Sequence, residues 1–273
     1  MKKYSFWAIC VLLIAVTISG VSWVSIKKTQ LEVFDNQTND SVKTIATGSK
    51  YSNTQLFDNY ISSIYDQAQL LTTGLDFGVF KKAIVGYYNL KSTNLISEKN
   101  LVLTIIDFSK KSTEKRLWIL DLGTNKLLYN TFVAHGQGSG GNLPDSFSNL
   151  ENSHKSSLGF YVTSETYFGK HGLSMKLEGM DKGFNTNARD RAVVVHGADY
   201  VSQDFINRTG RLGRSHGCPA LPTELTKSII NTIKGQTTMF INGPANDYRS
   251  NYLDENLAVN NFVGSAGTIN ASI

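Results

Sequence analysis

The stretch RAVVVHGADYVSQDFINRTGRLGRSHGCPALP, residues 191–222, holds the densest chemistry in the chain. Residues 192–195 form an apolar, β-branched run that suits a strand, and His196 closes it just before Gly197. A side chain at a strand end is held by the sheet yet open to a cleft. A glycine- and arginine-rich loop follows. Ser215-His216-Gly217-Cys218-Pro219 then leads to a helix opened by Pro222 and Thr223. The thiolate is the nucleophilic form of cysteine, and a free thiol with a pKa of about 8.5 is only partly ionised at neutral pH. A nearby imidazole can take its proton. Cys218 is therefore the candidate nucleophile and His196 its candidate base, with either Asp199 or the Gly197 carbonyl holding the far ring nitrogen. Backbone N–H groups near Cys218 are expected to face the developing oxyanion, where one donor is worth about 3 kcal/mol. Plainer readings stand beside this one. A lone cysteine can be a small buried hydrophobe, and a strand-end histidine can be a satisfied core group. Cys218, His196 and His216 could ligate zinc, but the paired Cys-x-x-Cys and His-x-x-x-His spacings are missing. The conjunction of pieces favours thiol chemistry, with no metal and no cofactor.

Outward from this segment the patterns change. Before it, residues 101–106, 116–122, 126–133, 159–165 and 173–177 read as short strands, and after it so does 237–241. Leu225, Ile229, Ile230 and Ile233 give the intervening helix one apolar face, which Gly235 ends. Further upstream, Leu56, Tyr60, Ile64, Ala68 and Leu71 recur at helical spacing over 54–71. Asp76 can cap a second helix carrying Phe80, Ala83, Ile84 and Tyr87. The expected fold is mainly β (α+β): a sandwich or barrel-like β domain over 96–243, with a helical preface at 54–95 and one late helix. A polar linker over 29–53 precedes it, and a loose polar tail over 244–273 follows.

The 191–222 segment resembles the L,D-transpeptidase catalytic domain of the YkuD type, whose pattern is His-Gly followed, after a gap, by Ser/Thr-His-Gly-Cys. The gap here is slightly long. LVLTIIDFSKKSTEKRLWILDL, FVAHGQGSGG, FSNLENSHKSSLGFYVTSETYFGKHG and RAVVVHGADYVS resemble its murein branch as well, so the likeness runs over about 55–243. The resemblance implies a β-rich catalytic domain that acts on peptidoglycan stem peptides. In it Cys218 attacks the carbonyl after a diamino acid in a tetrapeptide stem and releases the terminal D-residue, and an amine or water takes the acyl group. His196 matches the family's base and His216 a second, positional histidine. Gly217 matches the oxyanion-hole backbone. Many members carry Arg or Asn two residues after the cysteine; here that position is Ala220, so Arg214 or Arg211 is expected to meet a substrate carboxylate, since an Arg fork suits one. Ser215 completes the motif, and Ser156, Ser157 and Tyr161 lie in a matching stretch, where they either border the substrate or serve as plain turn-and-strand residues. A hydrolytic relative using the same thiol, and a catalytically silent wall-binding module, remain open.

At the N-terminus, Lys2 and Lys3 precede an uncharged run over residues 4–26, followed by Lys27 and Lys28. As a helix this run would reach about 34 Å, enough to cross a hydrocarbon core of about 30 Å. An uncleaved signal anchor over 1–28 is favoured over a cleaved signal peptide, and both place the rest of the chain in the cell envelope, outside the cytoplasm. Cys10 lies within that run, leaving Cys218 as the one thiol of the exported part. The net charge of +5, from 27 basic and 22 acidic residues, is not gathered into runs and gives no basic stripe for nucleic acid. Gly136-Gln-Gly138-Ser-Gly140-Gly141 matches G-x-G-x-x-G, but Asn142, Leu143 and Pro144 follow it instead of a helix, so it reads as a mobile loop bordering the cleft rather than a nucleotide fingerprint. His135, just before this loop, reads as structural. His154 and His171 sit in polar loops and read as solvated.

Overall fold

The computed structural model describes residues 51–270. The expected anchor at 1–28 and most of the 29–53 linker lie outside that range. Among the described residues no helix is long and apolar enough to cross a membrane.

Helix α1 (Asn53–Gln67) starts at a capping box, in which Ser52 Oγ accepts from the Gln55 N–H and Gln55 Oε1 accepts from the Ser52 N–H. It buries Phe57, Ile61, Ile64 and Tyr65. The helix is shorter than the 54–71 pattern suggested. Gln69 takes a left-handed conformation, a 3-10 turn follows at Leu70–Thr73, and Leu71 is left 76% exposed. Helix α2 (Phe77–Lys91) is capped by Asp76 as expected, with Oδ1 accepting from the Val79 N–H.

Eight strands follow: β1 (Val102–Asp107), β2 (Leu117–Asp121), β3 (Lys126–Thr131), β4 (Gly159–Gly169), β5 (Gly172–Gly179), β6 (Val194–Gly197), β7 (Ala220–Leu221) and β8 (Thr238–Asn242). They form one curled mixed sheet in the order β3-β2-β1-β8-β4-β5-β6-β7. The β1–β8 and β6–β7 pairs are parallel and the other neighbours antiparallel. Beyond β3 the chain runs back to β7, where Ala134 and Ala220 exchange backbone hydrogen bonds of 2.9 and 3.3 Å. This bridge draws the two ends of the sheet together and gives the barrel-like character read from the sequence.

Both faces of the sheet are covered. Leu103, Ile105, Trp118, Leu120, Phe160, Val162 and Phe240 face α1 and α2. The alternate residues Ile106, Leu117, Ile119, Tyr161, Met175, Val195, Met239 and Ile241 face the other core with Ile229, Ile230 and Ile233 of α4 (Thr223–Ile233). Each such fully buried side chain contributes about 1.5–3 kcal/mol over leaving it in water.

Two helices escaped the sequence reading of one late helix. Helix α3 (Gln203–Thr209), capped by Ser202 and ended by Gly210 at φ 77°, is too short for a periodic signal. Helix α5 (Glu255–Asn270) lies in the tail that was expected to be loose. It docks Ala258 and Val259 into the helical core and sets Phe262 among Phe57, Tyr60 and Tyr88, with ring centroids 4.9–5.4 Å apart. The Asn89 side chain of α2 donates to the carbonyls of Tyr252 and Asp254 and accepts from Asn261 Nδ2.

Candidate active site

Three adjacent strands place the chemistry. On β6, Val195 turns into the core while Val194 and His196 turn to the opposite side, as the two-residue period of a strand requires. His196 lies opposite Ser174 of β5 and Ala220 of β7. Cys218 stands two residues before Ala220 on the same edge. Its Sγ accepts from the Val194 N–H at 3.4 Å and donates to the Ala192 carbonyl at 3.7 Å. The sulfur thus rests on the first residue of β6, and the imidazole stands two residues further along that strand. Cys218 is partly exposed and free, and His196 is 4% exposed.

The two open alternatives for the orienting group resolve on the carbonyl. His196 Nδ1 lies 2.9 Å from the Gly197 oxygen, while Asp199 Oδ1 accepts from the Thr223 hydroxyl at 2.8 Å. A carbonyl only accepts, so Nδ1 carries the proton and Nε2 keeps its lone pair. Burial lowers the His196 pKa below the ordinary value; the Gly197 carbonyl opposes this, and His171 and Lys170 add to it. Burial likewise raises the Cys218 thiol, against the pull of the Val194 N–H, Arg191 and Lys170. Both effects favour a neutral thiol beside a neutral imidazole in the resting site.

Behind the sulfur the Ser215–Cys218 turn is internally tied. Ser215 Oγ donates to the Cys218 carbonyl at 2.6 Å and accepts from the Gly217 N–H at 3.0 Å. This corrects the role expected of Gly217: its N–H is already spent on Ser215 and is unavailable to an oxyanion. The Cys218 N–H makes no hydrogen bond among the described residues. Gly217 itself sits at φ 121°, and a Cβ there would lie 2.8 Å from the Lys155 carbonyl oxygen, so the turn demands glycine.

A cleft of about 730 Å³ contains this arrangement. Cys218, His196, His216, Ser215 and Arg214 line it together with Tyr167, Lys170, His171, Arg191 and Tyr200. Lys170, Arg191 and Arg214 give it three permanent cations, and no carboxylate is among its lining residues. A second cavity of about 580 Å³, near Asp145, Phe184 and Asp247, contains none of the site residues named above.

Several expected contacts are corrected. Tyr161 is fully buried, because the sheet is covered on both faces, and its hydroxyl donates to the Ser157 carbonyl at 2.9 Å. Ser156 and Ser157 are buried too, and Ser156 Oγ donates to the Gly217 carbonyl. Arg211 lies outside the cleft lining, donating to the Leu212 carbonyl. Arg214 lines the cleft and is steadied by the Gly140 carbonyl at 2.8 Å. In the 136–141 loop the N–H groups of Gly136, Gln137, Gly138 and Ser139 are all hydrogen-bonded within the fold. His216 is exposed and stacks on His154 with ring centroids 4.2 Å apart.

Arg191 and His171 were not read from the sequence as parts of the site. Arg191 donates to the carbonyls of Ser148 and Lys155 and to Ser157 Oγ, strapping residues 148–157 beside the thiol. Its position just before an apolar run carries no local signal of that role.

A family model described as an L,D-transpeptidase catalytic domain matches residues 71–242, more than half of the chain. The chain belongs to this family. Among solved structures, the L,D-transpeptidase domain is similar to an L,D-transpeptidase from Mycobacterium smegmatis at 11% identity and TM-score 0.32, covering 52% of this chain and 58% of that one. A mutant of the helical cell shape determining protein Pgp2 from Campylobacter jejuni aligns at 11% identity and TM-score 0.38, covering 67% and 63% respectively. An L,D-transpeptidase from Stackebrandtia nassauensis aligns at 15% identity and TM-score 0.32, covering 55% and 59%. The chain thus spans less than two thirds of the length of each. No curated protein is similar enough to match it.

Within the L,D-transpeptidase domain, Gly197 joins the sheet to α4. A Cβ there would stand 2.5 Å from Thr226 Oγ1, which is itself bonded to the Pro222 carbonyl at 2.9 Å. Gly197→Ala is expected to separate β6 from α4 and shift the carbonyl that orients His196. It should destabilise the fold by about 1–3 kcal/mol and lower the rate of Cys218 alkylation about tenfold. Thermal unfolding and iodoacetamide kinetics on the same sample check both effects.

Proposed function

We propose that this chain is a peptidoglycan L,D-transpeptidase that works through a cysteine acyl-enzyme outside the cytoplasm. The observation that carries the reading is a thiol resting on the same short strand that holds an imidazole with its far nitrogen fixed, both opening into one cationic cleft. In the first half-reaction, His196 Nε2 takes the Cys218 proton as Sγ attacks the carbonyl after the diamino acid of a tetrapeptide stem. The Cys218 N–H meets the oxyanion. Collapse expels the amine of the terminal D-residue, which leaves with the proton from His196. In the second half, an acceptor amine gives its proton to His196 and attacks the thioester, restoring the thiol. His216 lines the same cleft, which supports reading it as the second, positional histidine. Arg214 and Lys170 suit the free carboxylate of the stem peptide. The uncharged run at residues 4–26 supports delivery across a membrane.

Incubating the purified full-length protein with tetrapeptide muropeptides tests this. Cross-linked dimers mean transfer, tripeptides alone mean that water takes the acyl group, and unchanged muropeptides mean a silent binding module. A carbapenem offers a strained amide to the same thiol. Intact-mass analysis should find one adduct, on Cys218, and its absence would defeat the acyl-enzyme reading.

A further inference from the structure

We propose that His171 is a positioning residue for His196, clamping the base from one face. The inference rests on the reading of His196 as the base. Lys170 and His171 form the two-residue turn between Gly169 and Gly172, which pair at the ends of β4 and β5, and Gly172 takes φ 73° there. The turn carries the His171 ring onto that of His196, with centroids 4.5 Å apart and planes inclined by 27°. The Nδ1 bond to Gly197 fixes one edge of the base but leaves the ring free to swing about that edge. A ring stacked on its face removes that swing.

The test is the rate of Cys218 alkylation by iodoacetamide at neutral pH, using the full-length protein and following thermal unfolding of every variant. His171→Ala should lower that rate about tenfold. His171→Phe keeps a flat ring on the base, so it should recover most of the wild-type rate. If His171→Ala keeps the wild-type rate, or His171→Phe loses as much as His171→Ala, the proposal is overturned. Should His171→Ala fail to fold, His171→Leu, which keeps bulk without a flat ring, takes its place with the same expected loss. His196→Ala serves as the reference: it should abolish the reaction, and if it does not, the reading of His196 as the base is what has failed.

Discussion

Replacing Cys218 with alanine or serine is expected to reduce muropeptide turnover at least about a thousandfold, while changing unfolding free energy by no more than about 1 kcal/mol. Alanine removes the nucleophile outright. Serine keeps a hydroxyl of similar reach, but an alcohol holds its proton far more tightly than a thiol, and a base made weaker by burial is poorly matched to it. The small stability cost follows from position. Cys218 is partly exposed, and its sulfur makes only two long hydrogen bonds, at 3.4 and 3.7 Å. The turn around it is held by Ser215, whose hydroxyl bonds the Gly217 N–H and the Cys218 carbonyl, and these bonds survive either substitution. Activity and a denaturant melt on the same preparation check the pair of outcomes. Collapse of the fold in Cys218→Ala would mark the residue as a structural hydrophobe.

The second large effect is acid destabilisation centred on His135. This ring is fully buried, and its Nδ1 lies 2.8 Å from Arg116 Nη2. The guanidinium only donates, so Nδ1 must accept and the ring must be neutral. Arg116 is also fully buried. Its other donors go to the carbonyls of Val133 and Lys110, and its charge lies over the Phe108 ring at 4.8 Å. Burial first, and then the charges of Arg116 and Arg214 against partial relief from the Gly140 carbonyl, lower the His135 pKa to about 3. The sign follows directly. Between pH 6.5 and 3 an unfolded histidine binds a proton that the folded one refuses, so stability is full above 6.5 and is lost as the pH falls. At roughly 1.4 kcal/mol per pH step, the total over that window is on the order of 5 kcal/mol. His196, lowered by burial as well, adds to it in the same direction. Urea melts from pH 7 to 4 should show this slope. His135→Asn can still accept from Arg116 but does not titrate; it should cost about 1–3 kcal/mol at pH 7 and flatten the slope. An unchanged slope in that variant would show that the acid sensitivity lies elsewhere.

The parts legible in the sequence were those whose signal is local. Asp76 as a cap, the β-branched run ending at His196, and the glycine before Cys218 all announce their geometry within a few residues. What escaped depends on distant partners. Tyr161 sits in a strand whose alternate residues would reach solvent in a sheet with one open face. Here Phe160 and Tyr161 are both buried, each in a different core. His171 looked solvated because its polar neighbours hide the fact that the β4–β5 turn folds over β6. Helix α5 mixes its apolar residues with asparagine, glycine and serine, and its attachment comes from rings and a capping side chain well over a hundred positions earlier. Arg191 is the same kind of case, since residues 148–157 recruit it from across the fold.

The docking of α5 also has a consequence for the order in which this protein can become whole. Until residues near Phe262 have emerged, the aromatic side chains of Phe57, Tyr60 and Tyr88 lack the ring that covers them, although they were made some two hundred positions earlier. A chain delivered from its N-terminus must therefore carry a sticky, unfinished surface until α5 has been made. A ribosome stalled before that helix would leave a product inviting capture by a chaperone or a protease.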